Sequence, residues 1–308
     1  MTPFFSVVIP VYNRTVPLRQ ALRSVLAQTE QDFEIVVVDD GSNDDPRRVV
    51  EEVSDPRIVF IRQENRGGGA ARNTGIGKAR GRYIAFLDSD DRFLPYHLVT
   101  MRRLLEHTTR TAGYARIVVD RGEGRLFLKP PRAIGEGEDM ATYLLCDRGF
   151  IPTSTVVVER NAAEAIRYHE NLPAAEDTDF AIRLALAGIR FVMAEEPGAH
   201  CNDVSDPSRL SAGRKGATMR QWIEELRPRI PQKAYYGCLG WAYAKHVATS
   251  DRFAALKLFM AALIRGCYRP PLAGIVFLQI FLSDRMYRKM ADAAIARLGA
   301  GLRRGPGS

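Results

Sequence analysis

Short apolar runs that alternate with helical patterns dominate the first third of the chain. Four such runs, each bounded by turn-forming residues, lie at residues 5–12, 33–40, 57–63 and 82–88. Their nearly continuous hydrophobicity is typical of parallel strands that are covered on both faces. A helical pattern follows the first run, with Thr15 as its expected cap. This alternation predicts an open, doubly wound α/β sheet, which binds ligands at the carboxyl ends of its strands.

Length and composition indicate a soluble globular protein. The chain has 308 residues, 46% of them hydrophobic, and can therefore bury a substantial core. Its four cysteines are scattered without a paired C-x-x-C spacing, which favours neither a disulfide framework nor a zinc site. The N-terminal residues are typical of a core strand and not of an export signal. We therefore expect a cytoplasmic location.

Polar clusters follow three of the four apolar runs. They read PVYNR at 10–14, DDGSND at 39–44 and DSDD at 88–91. Carboxylates that converge at one sheet edge repel one another unless a cation compensates them. Mg²⁺ or Mn²⁺ carrying a diphosphate would do so, because hard cations prefer oxygen ligands. The competing interpretation is that the DSDD turn only caps the next helix.

The loop after the third run adds backbone and positive charge to the same crevice. Residues 63–76 read QENRGGGAARNTGI, with three consecutive glycines before a helix that carries Arg72. The segment has no G-K-[ST], and the first strand-to-helix turn has no G-x-G-x-x-G. The sequence therefore lacks the main signatures of P-loop NTPases and of dinucleotide-binding dehydrogenases.

The segments VVIPVYNR, VVVDDGSND, ENRGGGAARNTGI and GRYIAFLDSDD, in this order, resemble family-two glycosyltransferases of the GT-A fold. The resemblance covers roughly residues 4–205. It implies a Rossmann-like open mixed sheet flanked by helices, with a C-terminal helical appendage. The implied domains are a catalytic domain at 1–208 and a basic helical region at 209–308. Within the first, residues 1–110 would bind the nucleotide sugar and residues 111–208 the acceptor.

The resemblance also assigns a donor site and a metal site. The nucleoside would be bordered by Pro10, Tyr12 and Asn13 and hydrogen-bonded by Asp40, with Asp39 in support. The remaining donor-binding residues would be Asn65, Gly68, Arg72, Asp88 and Ser89, the last two belonging to the family's D-x-D motif. The implied ligands of Mg²⁺ or Mn²⁺ are Asp88, Asp90, Asp91 and His200. The doubled acid leaves either Asp90 or Asp91 as the principal ligand.

The second half would supply the acceptor side. Glu176 and Asp177 open an amphipathic helical pattern and match the family's E-D motif. The resemblance makes Asp177 the general base for an acceptor hydroxyl, with Glu176 and Asp179 orienting the acceptor or the helix terminus. The implied reaction is a single displacement with inversion, and a loop at 201–213 would close over the donor. The alternative for these acids is helix capping.

Basic residues are concentrated in the C-terminal third. Residues 209–308 contain 18 Lys or Arg against 5 Asp or Glu, whereas the first 208 residues have a net charge of −5. The longest uncharged run, Pro270 to Ser283, is shorter than the roughly 20 residues of a membrane span. Residues 250–308 are therefore expected either to lie peripherally on an anionic membrane surface or to pack as a helical appendage. No stacking motif for nucleic acid is present.

Two other functions remain as alternatives. A nucleotidyltransferase also joins such a sheet to metal-binding acids, but its glycine-rich signature belongs at the first strand, where this chain has PVYNR. A non-catalytic nucleotide-sugar or glycan-binding module would not need a base, and the intact Asp177 argues against it. The expected partners are a nucleotide sugar, with UDP favoured over dTDP and GDP, and a glycan or lipid-linked acceptor.

Overall fold

The computed structural model describes residues 2–122, 125–172, 175–203 and 216–302. Its strands are β1 Phe5–Val11, β2 Phe33–Asp39, β3 Ile58–Arg62, β4 Tyr83–Phe86, β5 Asp91–Phe93, β6 Thr111–Tyr114, β7 Ile117–Asp120, β8 Leu126–Lys129, β9 Val157–Glu159, β10 Arg190–Met193 and β11 Ala199–Asn202. Its helices are α1 Thr15–Leu26, α2 Pro46–Val53, α3 Gly68–Lys78, α4 His97–Leu105, α5 Met140–Cys146, α6 Arg160–Ile166, α7 Glu176–Leu186, α8 Gly216–Leu226, α9 Gln232–Cys238, α10 Ala244–Val247, α11 Arg252–Ile264, α12 Pro270–Phe281 and α13 Asp284–Leu302.

Seven strands form an open mixed sheet in the order β10-β6-β9-β4-β1-β2-β3. The pairs β1–β2, β1–β4, β2–β3 and β6–β10 are parallel, and β9 runs antiparallel to both β4 and β6. The four strands predicted in the first third are all present. The predicted α/β class with a mixed sheet is confirmed.

Burial explains why these strands read as continuous apolar runs. Every residue of β2 is buried, and so is every residue of β1 except Pro10. In contrast, β3 is the edge strand, and its Val59 is 40% exposed. Helices cover the central strands, so alternation between apolar and polar residues is not needed there.

The start of α1 differs from the prediction. Thr15 is the first helical residue and not the cap, and the preceding Arg14 makes no side-chain capping bond. The backbone N–H of Thr15 instead donates to Asp44 Oδ2 at 3.0 Å, from the loop after β2. An unpaired helix N–H needs an acceptor, and here the acceptor comes from 29 positions away.

A smaller four-stranded sheet has the order β5-β11-β7-β8. It contains two residues that the sequence placed in loops. Asp91 is the first residue of β5, and His200 lies within β11, which pairs antiparallel with β5. Their backbones are therefore held by strand pairing.

The chain divides into two compact units. The first comprises Met1–Val119, Leu128–Glu136 and Phe150–Asn202, and the second comprises Asp120–Phe127, Gly137–Gly149 and Asp203–Ser308. The second unit has a core of its own, which includes Phe259, Tyr268 and Val276. The sequence did not indicate that the two internal segments would belong to this unit. Among the described residues, no helix combines the length and the apolar character that crossing a bilayer requires.

Candidate active site

The strand register brings the predicted loops to one edge of the large sheet. Val11 at the end of β1 is in register with Asp39 at the end of β2, and Val8 is in register with Phe86 at the end of β4. The strands are parallel, so the loops that follow them leave from the same side. This edge carries the candidate site, which lies within the first unit.

The loops after β1 and β2 are joined by short hydrogen bonds. Asn13 has a left-handed backbone (φ 54°), its N–H donates to Ser42 Oγ at 2.9 Å, and its Oδ1 accepts from Asn43 N at 2.7 Å. Asp39 is fully buried, and its Oδ1 accepts from Ser42 N at 2.9 Å. Asn13 and Asp39 thus fix the shape of the predicted nucleoside pocket.

Asp40 organises the glycine-rich loop. Its side chain is almost fully buried, and its Oδ1 accepts from Gln63 Nε2 at 2.8 Å and from Arg66 N at 3.0 Å. Its Oδ2 accepts from Gly67 N at 2.8 Å. Asp40 therefore holds the start of α3 in place, and any contact with a base would have to share these oxygens.

The acidic turn after β4 exposes two of its three carboxylates. The side chains of Asp88 and Asp90 are 33% and 30% exposed, respectively. Arg72 Nη2 donates to Asp88 Oδ1 at 2.6 Å, and Arg14 pairs with Asp90. In this structure, arginines provide the positive charge beside both carboxylates.

Asp91 has a different environment from the other two acids. It is buried, and its Oδ2 accepts a hydrogen bond from Ser154 Oγ. Burial and the charges of Asp88 and Asp90 raise the pKa of Asp91 to about 7, despite hydrogen bonds from Ser154 and Cys201. Of the three acids of this turn, Asp91 is thus the one whose charged form is disfavoured mainly by burial.

Arg72 joins the predicted donor side to the predicted acceptor side. Besides its bond to Asp88, its Nη1 donates to Glu176 Oε2 at 2.8 Å. Its guanidinium carbon lies 5.2 Å from the centre of the Tyr168 ring, which stacks on Phe180 at 4.1 Å. The cation is therefore fixed by two carboxylates and an aromatic face.

Asn73, the next residue of α3, was not predicted as part of the site. Its Oδ1 accepts from Tyr168 N at 2.7 Å, and its Nδ2 donates to Tyr168 O at 2.9 Å and to Glu170 Oε1 at 3.0 Å. These bonds hold the segment that leads to α7. The RNTG sequence was available as a signal for Asn73, but Tyr168 lies in no recognisable motif.

Glu176 and Asp177 lie in the first turn of α7, as predicted. Burial raises the pKa of Asp177, although the Thr178 N–H and the cations of Arg72 and Lys129 oppose this effect. The described hydrogen bonds of Asp177 use only Oδ1, which accepts from Thr178 N at 2.7 Å and from Thr178 Oγ1 at 3.3 Å. Asp177 also borders a narrow crevice whose lining includes Phe180.

Burial and ion pairing differ between the other two acids of this motif. Burial, followed by the charges of Asp88 and Asp177, raises the pKa of Glu176 against the opposing effect of Arg72. Asp179 is buried, and its Oδ2 accepts from Arg183 Nε at 2.7 Å. Glu176 thus faces the donor turn, whereas Asp179 is occupied within its own helix.

His200 is not brought together with Asp91. In the β5–β11 pair, His200 is opposite Arg92, and Asp91 is opposite Cys201. Successive side chains of a strand point to opposite faces, so His200 and Asp91 leave this pair on different sides. Arg92 Nη2 lies 3.3 Å from His200 Nδ1. A ligand role for His200 stays a prediction.

The other predicted donor residues lie near the end of β1, follow the strands at this edge, or begin α3. They are Pro10, Tyr12, Asn65, Gly68 and Ser89. A Cβ on Gly68 would lie 3.2 Å from Arg72 Nη1 and 3.4 Å from Glu176 Oε2, so this close approach favours glycine. Most of the predicted closing loop at 201–213 lies outside the described residues. Among the residues that are described, no group of three or more His, Cys, Asp or Glu is arranged to hold a metal ion.

The fold and the site together define an α/β protein with polar loops gathered at the ends of parallel strands. Residues 6–167 match the family model described as glycosyl transferase family 2. The chain is 31% identical over 246 residues to the amylovoran biosynthesis glycosyltransferase AmsB of Erwinia amylovora, a match that covers 75% of this chain and 80% of that protein. The chain therefore belongs to glycosyl transferase family 2.

Two solved structures share the GT-A fold with this chain. One is TarS 1-349 of S. aureus in complex with UDP-GlcNAc, with a TM-score of 0.61, 17% identity and coverage of 89% of this chain and 86% of that one. The other is the mannosyltransferase PcManGT from Pyrobaculum calidifontis in complex with GDP-Man and Mn²⁺, with a TM-score of 0.56, 16% identity and coverage of 98% and 81%, respectively. At these identities the likeness shows the fold alone.

Proposed function

We propose that this chain transfers a sugar from a nucleotide sugar, a UDP-sugar, to a hydroxyl of a glycan or lipid-linked acceptor in polysaccharide biosynthesis, with inversion at the anomeric carbon. The main support is Arg72, which hydrogen-bonds Asp88 of the donor turn and Glu176 of the acceptor-side helix. A transfer reaction needs donor and base close together, and this bridge provides the proximity. The biosynthetic name of AmsB and the nucleotide sugars bound by TarS and PcManGT agree with this proposal.

The donor is proposed to lie along the loops after β1, β2 and β3. Asn13 and Asp39 shape the nucleoside end, while Asp40 positions the glycine-rich loop. The diphosphate would lie beside the start of α3, near Gly68 and Arg72. Helix N-termini and arginines both favour phosphate oxygens there.

A divalent cation, Mg²⁺ or Mn²⁺, fits the acidic turn. Asp88 and Asp90 present partly exposed, hard oxygen atoms, and the buried Asp91 adds a third carboxylate to the same turn. We propose Asp88 and Asp90 as ligands, with the buried Asp91 in a supporting place and His200 as a further candidate. When bound, such an ion supplies stabilisation of the charge that develops on the leaving diphosphate.

Asp177 is proposed as the general base. The acceptor oxygen attacks the anomeric carbon, its proton passes to the Asp177 carboxylate, and the bond to the nucleoside diphosphate breaks. Glu176, held by Arg72, would orient the acceptor. The raised pKa of Asp177 suits this task, because a more basic carboxylate accepts a proton more readily.

A screen of nucleotide sugars tests this proposal without knowledge of the acceptor. Binding by calorimetry and slow hydrolysis would be measured with Mg²⁺, with Mn²⁺ and with a chelator. We expect one donor to bind and hydrolyse only with metal, and Asp90→Ala to lose both properties. Asp32→Ala, at a half-exposed carboxylate outside the site, should retain them. Failure of every nucleotide sugar to bind, or wild-type behaviour of Asp90→Ala, would contradict the proposal.

A further inference from the structure

Helix α11 carries apolar side chains on two opposite faces. One face lies in the core of the second unit through Ala255, Phe259 and Ala262. The other is exposed and consists of Phe253 (66%), Leu256 (36%), Met260 (41%) and Ile264 (79%). A helix that is apolar all round is normally covered all round. The exposed face therefore requires an explanation.

The exposed residues form one continuous face. They are separated by steps of three and four positions, which place them on the same side of a helix. We name Phe253, Leu256, Met260 and Ile264 the α11 apolar surface.

Uncompensated positive charge accompanies this surface. Residues 252–283 contain four basic side chains and no acidic one: Arg252, Lys257, Arg265 and Arg269. All four are exposed, and Arg252 and Arg265 donate to backbone carbonyls. None of the four pairs with a carboxylate of the described residues. On the helical wheel of α11, Arg252 and Lys257 flank the apolar face on opposite sides.

We propose that the α11 apolar surface lies on an anionic phospholipid membrane. Its large side chains would enter the boundary between headgroups and acyl chains, while the flanking cations contact lipid phosphates. Charge favours this occupant over a second copy of the chain. A two-fold pairing of identical surfaces would bring the uncompensated cations of both copies together. The inference goes beyond the proposed reaction and does not depend on it.

Vesicle sedimentation with the purified full chain tests the proposal. Vesicles of phosphatidylcholine with phosphatidylglycerol would be compared with vesicles of phosphatidylcholine alone, in the absence of any sugar nucleotide. We expect binding to the anionic vesicles only. The triple variant Phe253→Ser, Met260→Ser, Ile264→Ser should lower the partition coefficient roughly a hundredfold, because three large apolar side chains no longer enter the membrane. Val16→Ser removes an equally exposed side chain from the first unit and should bind like wild type.

Two further measurements show whether a loss of vesicle binding comes from weaker contact with the membrane or from unfolding. Lys257→Gln should weaken binding to anionic vesicles about fivefold and leave the fold intact, because one cation near such a surface is worth roughly 1 kcal/mol. Circular dichroism and donor hydrolysis check that the triple variant is folded. The proposal is overturned if wild type stays in the supernatant, or if the triple variant binds as well as wild type. It is also overturned if wild type is a dimer that the triple variant converts to monomers.

Discussion

Arg72 is a largely buried cation that pairs with two carboxylates, those of Asp88 and Glu176. Burial alone would lower the pKa of Arg72, but Asp88, Tyr168 and Glu176 outweigh this effect and raise it above its ordinary value. The side chain is therefore always charged. The planar guanidinium group donates to both carboxylates at once, whereas a lysine ammonium group lacks this paired geometry.

Arg72→Lys tests the need for that fork. We expect hydrolysis and transfer to fall at least tenfold, because Lys keeps the charge but loses the paired geometry toward Asp88 and Glu176. Arg72→Met should fall further and also lower the melting temperature, since two carboxylates then lose their partner. Arg103→Lys, at an exposed arginine of α4, is the matched control. Equal rates for Arg72→Lys and wild type would contradict the bridging role.

The pH dependence of transfer reports on Asp177. Because the carboxylate must be ionised to act as a base, the rate should fall as pH falls through the raised pKa of Asp177. Lys129 opposes that rise, so Lys129→Met should move the acid limb of the pH–rate profile to higher pH. Lys78→Met, at an exposed lysine, should leave the limb in place. An unmoved limb in Lys129→Met would argue against Asp177 as the titrating group.

His97 should make stability depend on pH. It is buried, neither ring nitrogen has a partner in the described part of the chain, and burial lowers its pKa from 6.5 to about 3. Between pH 6.5 and about pH 3, the imidazole of His97 is protonated in the unfolded chain and neutral in the folded chain. Its contribution to stability is thus full above pH 6.5 and is lost toward pH 3, at about 1.4 kcal/mol per pH unit.

His97→Phe should remove this contribution to the pH dependence. Urea unfolding at a series of pH values would show a flatter loss of the free energy of unfolding on acidification than in wild type. His107→Phe, at a histidine that is 88% exposed, should leave the wild-type slope unchanged. A slope for His97→Phe that equals the wild-type slope would reject the assignment.

At the scale of elements, α3 serves both halves of the site. Its Arg72 holds the donor turn and Glu176, and its Asn73 holds Tyr168 and Glu170 ahead of α7. A shift of this helix would therefore move the donor side and the base together.

Asn73→Ala tests α3 as the common support. We expect a loss of about 1–3 kcal/mol in the free energy of unfolding, because buried backbone groups of Tyr168 lose their partners. The turnover number should fall more than the Michaelis constant for the donor rises, since Asn73 acts on the acceptor side. Asn161→Ala, at an exposed asparagine of α6, is the control. A loss of stability with an unchanged turnover number would show that Asn73 has a structural role only.

The elements that could be predicted are those with a local signal. The runs that became β1, β2, β3 and β4 are apolar and bounded by turns, and the acids of α7 are enriched in the first turn where the helix dipole favours them. The strand-end rule then placed the three polar loops at one edge. These inferences need only neighbouring residues and general topology.

The features that could not be predicted depend on contacts between distant residues. Asp44 accepts from the first N–H of α1 across 29 positions, and Asp91 accepts from Ser154, which is 63 positions away. The three groups that donate hydrogen bonds to the Asp40 carboxylate are also distant in the sequence. Sequence spacing carries no information about such partners, so the different environments of Asp90 and Asp91 could not be predicted.

At the scale of the whole molecule, the predicted site residues all lie in the first unit, and the basic character belongs to the second. Residues 209–308, which all belong to the second unit, carry a net charge of +13. Substitutions at the α11 apolar surface should therefore leave the hydrolysis of a soluble donor unchanged. Loss of hydrolysis in a folded surface variant would contradict this separation.

The central claim is sugar transfer with Asp177 as the base, and Asp177→Asn tests it most directly. Calorimetry would measure donor binding, and product formation would measure transfer to an acceptor, for wild type and variant under the same metal conditions. The account predicts that Asp177→Asn binds the donor within about threefold of wild type while transfer falls by roughly a hundredfold or more, because a general base is worth factors of this size. Transfer at the wild-type rate by a variant that binds the donor normally would contradict it.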